Sequence, residues 1–233
     1  MLFDFYGTLA RAESWGPTHE DVFAEHGYEV DQAARDAWRT EIFDGQEHVE
    51  HSSDRETYVA WERRRLGRMA AACGVGRDDV DRLVDDLYDA AKAFTIVAYP
   101  EVEPVLTSLR DHGVIVAVCS NWDWDLDRAL ATAGVDRWLD LAVTSARAGA
   151  RKPHPRIYAE TLTAIGVDRD DAVFVGDSWE CDVTGPLAFG LPVALHVWRD
   201  PDHGHHIERP PPPALVPGSH RVADLTAVLD LVA

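Results

Sequence analysis

Lysine is nearly missing from this chain. Lys92 and Lys152 are the only two, and arginine carries the rest of the 22 basic residues. A compact ammonium and a planar guanidinium are not interchangeable, so a lysine kept in an arginine-using chain points to a chemistry of its own. Positive charge is scarce altogether: 41 acidic residues leave a formal net charge of −19. With no basic stripe to offset it, that charge repels nucleic acid phosphates and anionic membranes. Cysteine is scarce too. Cys73, Cys119 and Cys181 are odd in number and widely spaced, with no paired-cysteine metal motif. Reduced, mostly buried thiols are expected. No apolar run approaches the roughly 18 residues that cross a bilayer. Met1 leads directly into a short apolar run with no room for a signal peptide, so the expected location is the cytoplasm.

What is present falls into two patterns. From about Thr18 to Phe94, apolar residues recur at three- and four-residue steps in "HEDVFAEHGY", "DQAARDAWRTEIF", "DRETYVAWERRRLGRMAAACGV" and "RDDVDRLVDDLYDAAKAF". Ser53 with Asp54, and Asp78 with Asp79, supply helix-start chemistry. The block predicts about four helices. From Tyr99 onward, strand and helix alternate: "PEVEPVLTSLRDHG", "VIVAVCS", "DLDRALATAG", "LDLAVTS", "PRIYAETLTAIG", "DAVFVGD" and "LPVALHV", the last strand expected. That rhythm predicts an α/β fold, a doubly wound parallel sheet with right-handed crossovers. The proline-rich stretch from Arg199 to Gly218 reads as a surface loop, and its His203, His205 and His206 as solvated rather than metal-binding. "RVADLTAVLDLV" reads as a closing helix.

In such a sheet, ligands bind beyond the carboxyl ends of the strands. Four ends carry polar residues: Asp4 after "LF", Ser120-Asn121 after "VIVAVC", Lys152 at the start of a helix, and Asp177 after "AVFVG" with Asp182 five residues on. Taken singly, an aspartate there is more often a cap or turn former. Together, in this order, they supply a nucleophilic carboxylate, a hydroxyl, a cation and a carboxylate pair. Those parts can hold a phosphate beside a carboxylate and a divalent metal.

"DFYGT", "CSN", "RKP" and "GDSWECD" resemble the four motifs of the haloacid dehalogenase superfamily, and the resemblance covers essentially the whole chain. It implies a Rossmann-like core of residues 1–14 and 96–233 with a helical cap, residues 15–95, inserted after the first motif. Hinges are expected near Ala10–Ser14 and Thr95–Tyr99. By resemblance, Asp4 attacks the substrate and becomes a covalent ester that water hydrolyses. Thr8 and Ser120, with Asn121 beside it, belong to the catalytic set, as does Lys152, which neutralises charge between Asp4 and the substrate. Gly7 lets the backbone approach closely. Mg²⁺ would be held by Asp4, the backbone carbonyl of Tyr6 and Asp177, with Asp182 as a further candidate.

Tyr6 divides the reading. The family's phosphatases usually carry a second aspartate there as general acid, which helps an alkoxide leave by ~100- to 10,000-fold. The dehalogenases commonly carry tyrosine there and need no metal, since halide leaves without a proton. Tyr158 also resembles a dehalogenase motif residue, and Arg39 resembles a cap arginine that holds a substrate carboxylate. Against this, dehalogenases place serine where Asp177 stands and keep an asparagine near Trp179 that is not found here. Asp177 weighs more heavily, because a metal-free dehalogenase gains nothing from another carboxylate beside its nucleophile. The expectation is therefore a Mg²⁺-dependent phosphatase of a small phosphorylated metabolite, of slow or specialised activity. A 2-haloacid dehalogenase is the alternative. A catalytically weak protein that binds a phosphorylated metabolite is a third. Trp122 and Trp124, directly after Ser120, are the expected pocket walls, and core packing accounts for most tryptophans of the helical block. The expected partner is a small molecule rather than a protein surface or nucleic acid.

Overall fold

A computed structural model describes residues 1–39, 44–199 and 212–232. His203, His205 and His206 lie outside the described residues. The chain opens with β1 (Leu2–Phe3) and β2 (Ala10–Ser14). Four helices follow: α1 (His19–Glu25), α2 (Gln32–Arg39), α3 (Arg55–Ala72) and α4 (Arg77–Ala90). Then come β3 (Thr95–Ala98), α5 (Val102–Asp111), β4 (Ala117–Ser120) and α6 (Leu126–Ala133). The remaining elements are β5 (Leu141–Thr144), α7 (Ser145–Ala148), α8 (Pro155–Ile165), β6 (Val173–Gly176), α9 (Gly185–Phe189), β7 (Val193–Val197) and β8 (Ser219–Val222).

Six strands form one parallel sheet in the order β5-β4-β1-β6-β7-β8. Strand alternation sorts its two faces. Phe3, Val118 and Val175 join α5 and α6 in one apolar core, while Leu2, Ala117, Cys119 and Phe174 join α8 in another. Chain order reverses around β1, which places the residues after β1, β4 and β6 around one crevice.

The helical block has a core of its own, with Phe23, Leu66, Met69, Leu83 and Leu87 at its centre. Asp54 caps α3 by accepting from the Thr57 N–H, as its side-chain chemistry predicts. The two stretches expected as hinges pair with each other: β2 and β3 form an antiparallel ribbon, Ala10 opposite Ala98. A second tie lies far from that ribbon. Gly45 and His48 N–H donate to the carbonyls of Lys152 and Gly149, and Arg151 N–H donates to Gln46.

One expectation about the C-terminal part fails. β7 is not the last strand, because β8 adds beyond it, Ala194 opposite Ser219. Arg221 and Val222 belong to that strand rather than to a closing helix. Only Leu225–Leu231 winds, as 3₁₀ turns, after Asp224 accepts from the Thr226 N–H. Edge pairing with β7 satisfies the backbone of 219–222, which a helix there would have left unpaired to the sheet.

Candidate active site

Asp4 sits one residue beyond β1, and its N–H donates to Val175 O at 2.9 Å. The chain then turns sharply: the N–H groups of Thr8, Leu9 and Ala10 all donate to Phe5 O. Gly7 makes this possible at φ +89°, and a Cβ there would lie 2.5 Å from Asp177 Oδ2. Both the turn and the approach of Asp177 therefore require glycine. Arg199 braces the same turn, donating from Nη2 to Thr8 O at 2.9 Å while pairing with Glu101 and lying over the Tyr99 ring.

The Asp4 side chain is only 10% exposed. Ser120, ending β4, donates to its Oδ1 at 2.9 Å, and Lys152 Nζ donates to the same oxygen at 2.7 Å. Lys152 also donates to Asp182 Oδ1 at 2.6 Å, and the Ser178 N–H to Asp182 Oδ2 at 2.9 Å. Asp4, Asp177 and Asp182 each offer an oxygen within 4.8 Å of the others. Both the Ser120 and the Lys152 bond to Asp4 fall on Oδ1 rather than Oδ2.

Burial alone would lower the Lys152 pKa, but Asp182 and Asp4 outweigh it and hold the ammonium well above its ordinary range. Burial raises Asp182 above the usual carboxylate range; Lys152 opposes that, and Asp4 and Asp177 reinforce it. Burial also raises the Tyr6 phenol, so Tyr6 stays protonated near neutral pH and is a poor acid. Thr8 is fully buried, and its hydroxyl has no hydrogen-bond partner among the described residues. A buried hydroxyl left so costs about 1–3 kcal/mol.

Asn121 works on the lysine's backbone rather than on the carboxylates. Its Oδ1 accepts from Lys152 N–H at 2.7 Å, and its Nδ2 donates to Lys152 O and to Asp44 Oδ1, each at 3.1 Å. His196, unassigned from the sequence, ends up beside the site. The Asp177 carbonyl can only accept, so His196 Nε2 carries the hydrogen of that 3.1 Å bond. The usable signal was a lone polar residue near the end of the apolar run "LPVALHV".

A cavity of about 390 Å³ has Tyr6, Asn121 and Arg151, each close in chain to a residue of the cluster, on one side and the helical block on the other. Tyr6, Trp122 and Trp124 line it, as do Trp15, Trp38, Tyr58, Tyr88 and Phe94. Trp122 and Trp124 thus stand where their position after Ser120 suggested. Trp61 is a core residue.

Two candidate substrate contacts are placed elsewhere. Arg39 is the exposed last residue of α2 and is not on the cavity wall. The arginines that do line the cavity are Arg151 and Arg65, the latter fully buried on α3 with its guanidinium near the Trp38 and Trp61 rings at 5.3 and 5.2 Å. It donates to Glu62 Oε1 at 2.7 Å and to Trp38 O at 2.8 Å. "ERRRLGR" reads as a solvated stretch, which hides it. Tyr158 lies on the inward face of α8, with its ring against Phe174 and Phe189. Its hydroxyl donates to Cys181 O at 2.5 Å, so it supports the turn carrying Asp182 and does not reach the cavity.

Comparison with known proteins bears on the family and the fold. A family model for haloacid dehalogenase-like hydrolases matches residues 1–190. The chain is 35% identical over 120 residues to mouse (Mus musculus) haloacid dehalogenase-like hydrolase domain-containing protein 3, covering 51% of this chain and 48% of that protein. It is 36% identical over 103 residues to a phosphoserine phosphatase of Thermus thermophilus, covering 44% and 40%. The chain thus spans about half or less of these curated relatives. A haloacetate dehalogenase H-2 of Moraxella sp. is 28% identical over 203 residues, covering 83% of each chain. Among solved structures, a HAD phosphatase from Thermococcus onnurineus has a TM-score of 0.60 at 20% identity, covering 100% of this chain and 96% of that one, a likeness of fold.

Proposed function

The chain belongs to the haloacid dehalogenase-like hydrolases, and within that family we propose that it is a magnesium-dependent phosphatase of a small phosphorylated metabolite. The observation that carries this reading is Asp177, whose carboxylate joins Asp4 and Asp182 around a single ammonium. Three carboxylates against one cation leave an excess of negative charge before any phosphate arrives. Each like-charged pair at about 4 Å costs ~4 kcal/mol at an effective dielectric near 20. An all-oxygen donor set of this kind suits Mg²⁺, which takes one or two carboxylates and a substrate phosphate. Asp4, the Tyr6 carbonyl and Asp177 would hold the ion. Both Asp182 oxygens already accept hydrogen bonds, so Asp182 acts by aiming Lys152. Bound there, the ion would neutralise phosphate oxygens and make phosphorus more electrophilic.

The side chains supply the rest. Ser120 and Lys152 fix Oδ1 of Asp4 and point Oδ2 at phosphorus. Asp4 takes the phosphoryl group and water then cleaves the aspartyl phosphate. Lys152 and the otherwise unpaired Thr8 hydroxyl bind the transferring group. The helical block, residues 15–95, serves as the cap that excludes water and shapes the cavity.

A second reading, 2-haloacid dehalogenase, is favoured by Tyr6 and by the Moraxella relative. The two separate cleanly. Phosphatase activity predicts phosphate release from p-nitrophenyl phosphate that chelation abolishes and that Asp177→Asn removes. Dehalogenation predicts chloride release from 2-chloropropionate, indifferent to chelator. In either chemistry Asp4→Asn lowers turnover by on the order of 10⁴-fold or more. A protein that only binds its metabolite would release neither product.

A further inference from the structure

We propose that the substrate is the phosphate ester of an aromatic alcohol, so that the leaving group is an aryl oxide. This rests on the phosphatase reading. The wall beside the nucleophile is a continuous set of rings, each touching the next: Tyr6–Trp15 at 5.6 Å, Trp15–Phe94 at 6.3 Å, Phe94–Trp122 at 5.8 Å and Trp122–Tyr6 at 6.4 Å between centroids. All four line the cavity, whose wall also holds Asn121, the residue after Ser120. Such a surface is matched by a flat, weakly polar group, which offset or edge-on packing stabilises beyond the area buried.

The reaction's own chemistry points the same way. Attack by Asp4 Oδ2 forms one P–O bond and breaks another, and the electron pair leaves on the ester oxygen. An alkoxide needs a proton at that moment, because its conjugate acid is as weak as water. An aryl oxide, whose acid lies near 10, leaves with its charge spread over the ring and takes a proton from water afterwards. Water then attacks the aspartyl phosphate, releasing inorganic phosphate and restoring the carboxylate. Tyr6 is the residue of the first motif that faces the cavity, and none of the residues Phe5, Tyr6, Gly7 and Thr8 that follow the nucleophile carries a carboxyl. Of the cavity's carboxyls, Glu62 accepts from Arg65 and Tyr58, Asp125 pairs with Arg55, and Asp123 accepts from the Asp125 N–H through Oδ1, which leaves Asp123 as the carboxyl to test. Ring contact and the missing acid are separate observations, and an aryl ester answers both.

Four substrates separate the two parts: phenyl phosphate, benzyl phosphate (an aromatic group on an alkyl oxygen), glycerol 2-phosphate and choline phosphate, each assayed with excess Mg²⁺. Phenyl phosphate should exceed glycerol 2-phosphate in kcat/KM by about 100-fold or more, the usual contribution of a general acid. Benzyl phosphate should share the KM of phenyl phosphate but not its kcat. Trp122→Leu should raise KM for both aromatic esters by a clearly larger factor than for glycerol 2-phosphate. Equal or faster turnover of glycerol 2-phosphate would overturn the proposal, and the more so if Asp123→Asn removed it, which would identify the acid. Preference for choline phosphate would also overturn it, making the rings a cation site. Phosphate release from none of the four, or from p-nitrophenyl phosphate, would sink the phosphatase reading itself.

Discussion

Two of the cations buried among the described residues, Lys152 and Arg65, are held in opposite ways. Lys152 sits at the sheet edge between two carboxylates, with hydrogen bonds of 2.7 and 2.6 Å to Asp4 and Asp182. Arg65 sits in the helical block between two indole rings, with one carboxylate and one backbone carbonyl as its partners. The lysine answers an excess of negative charge. The arginine is accommodated by polarisable faces and by a broad guanidinium that is weakly hydrated. The sheet edge is therefore an electrostatic device, and the block beside it a packing device that tolerates a charge.

The comparison breaks most visibly at the lysine. Lys152→Met, measured in chelator, should cost about 3–5 kcal/mol in urea unfolding, because it strands buried carboxylates, and should abolish turnover. Adding Asp182→Asn to that variant should recover much of the stability and none of the activity. Full recovery of turnover would show that the ammonium is dispensable.

Arg65→Met should cost less, about 1.5–3 kcal/mol, the range for hydrogen bonds to charged groups. Burial already raises the Glu62 pKa, with Arg65 opposing the rise, so without the guanidinium Glu62 accepts a proton instead. A raised folded pKa contributes stability below the unfolded value, near 4.3, and loses it as pH rises through the folded value. The Arg65→Met deficit should therefore shrink on acidification. A deficit independent of pH would mean that the rings, not the carboxylate, set the cost.

The smallest effect is expected at Asp123, whose pKa burial also raises while the Asp125 N–H opposes. Asp123→Asn keeps the acceptor for that N–H, and should raise Tm at neutral pH. The gain should fade as pH approaches the unfolded aspartate value of about 3.9. A lower Tm at pH 7 would show that the charge is wanted there.

This contrast also explains what could be read beforehand. Asp4, Ser120, Lys152, Asp177 and Asp182 each follow a strand or open a helix, and strand ends meet wherever a parallel sheet forms; five separate positions therefore converge by topology alone. The alternation of Leu2 and Phe3, and of Ala117 and Val118, between two cores is likewise written in a two-residue period. Arg65 was hidden because helix periodicity ranks charge as surface, and only the flanking rings make its burial tolerable. Tyr158 was misplaced because motif spacing cannot say which face of α8 turns inward. β8 was missed because it is four residues long and depends on β7 for its partners.

The backbone bonds from Gly45 and His48 to Lys152 and Gly149 carry one further consequence. They lace the stretch between α2 and α3 to the very segment that aims the ammonium. On the proposed reading of the helices as a cap, any opening would have to unlace that seam or drag the lysine off its carboxylates.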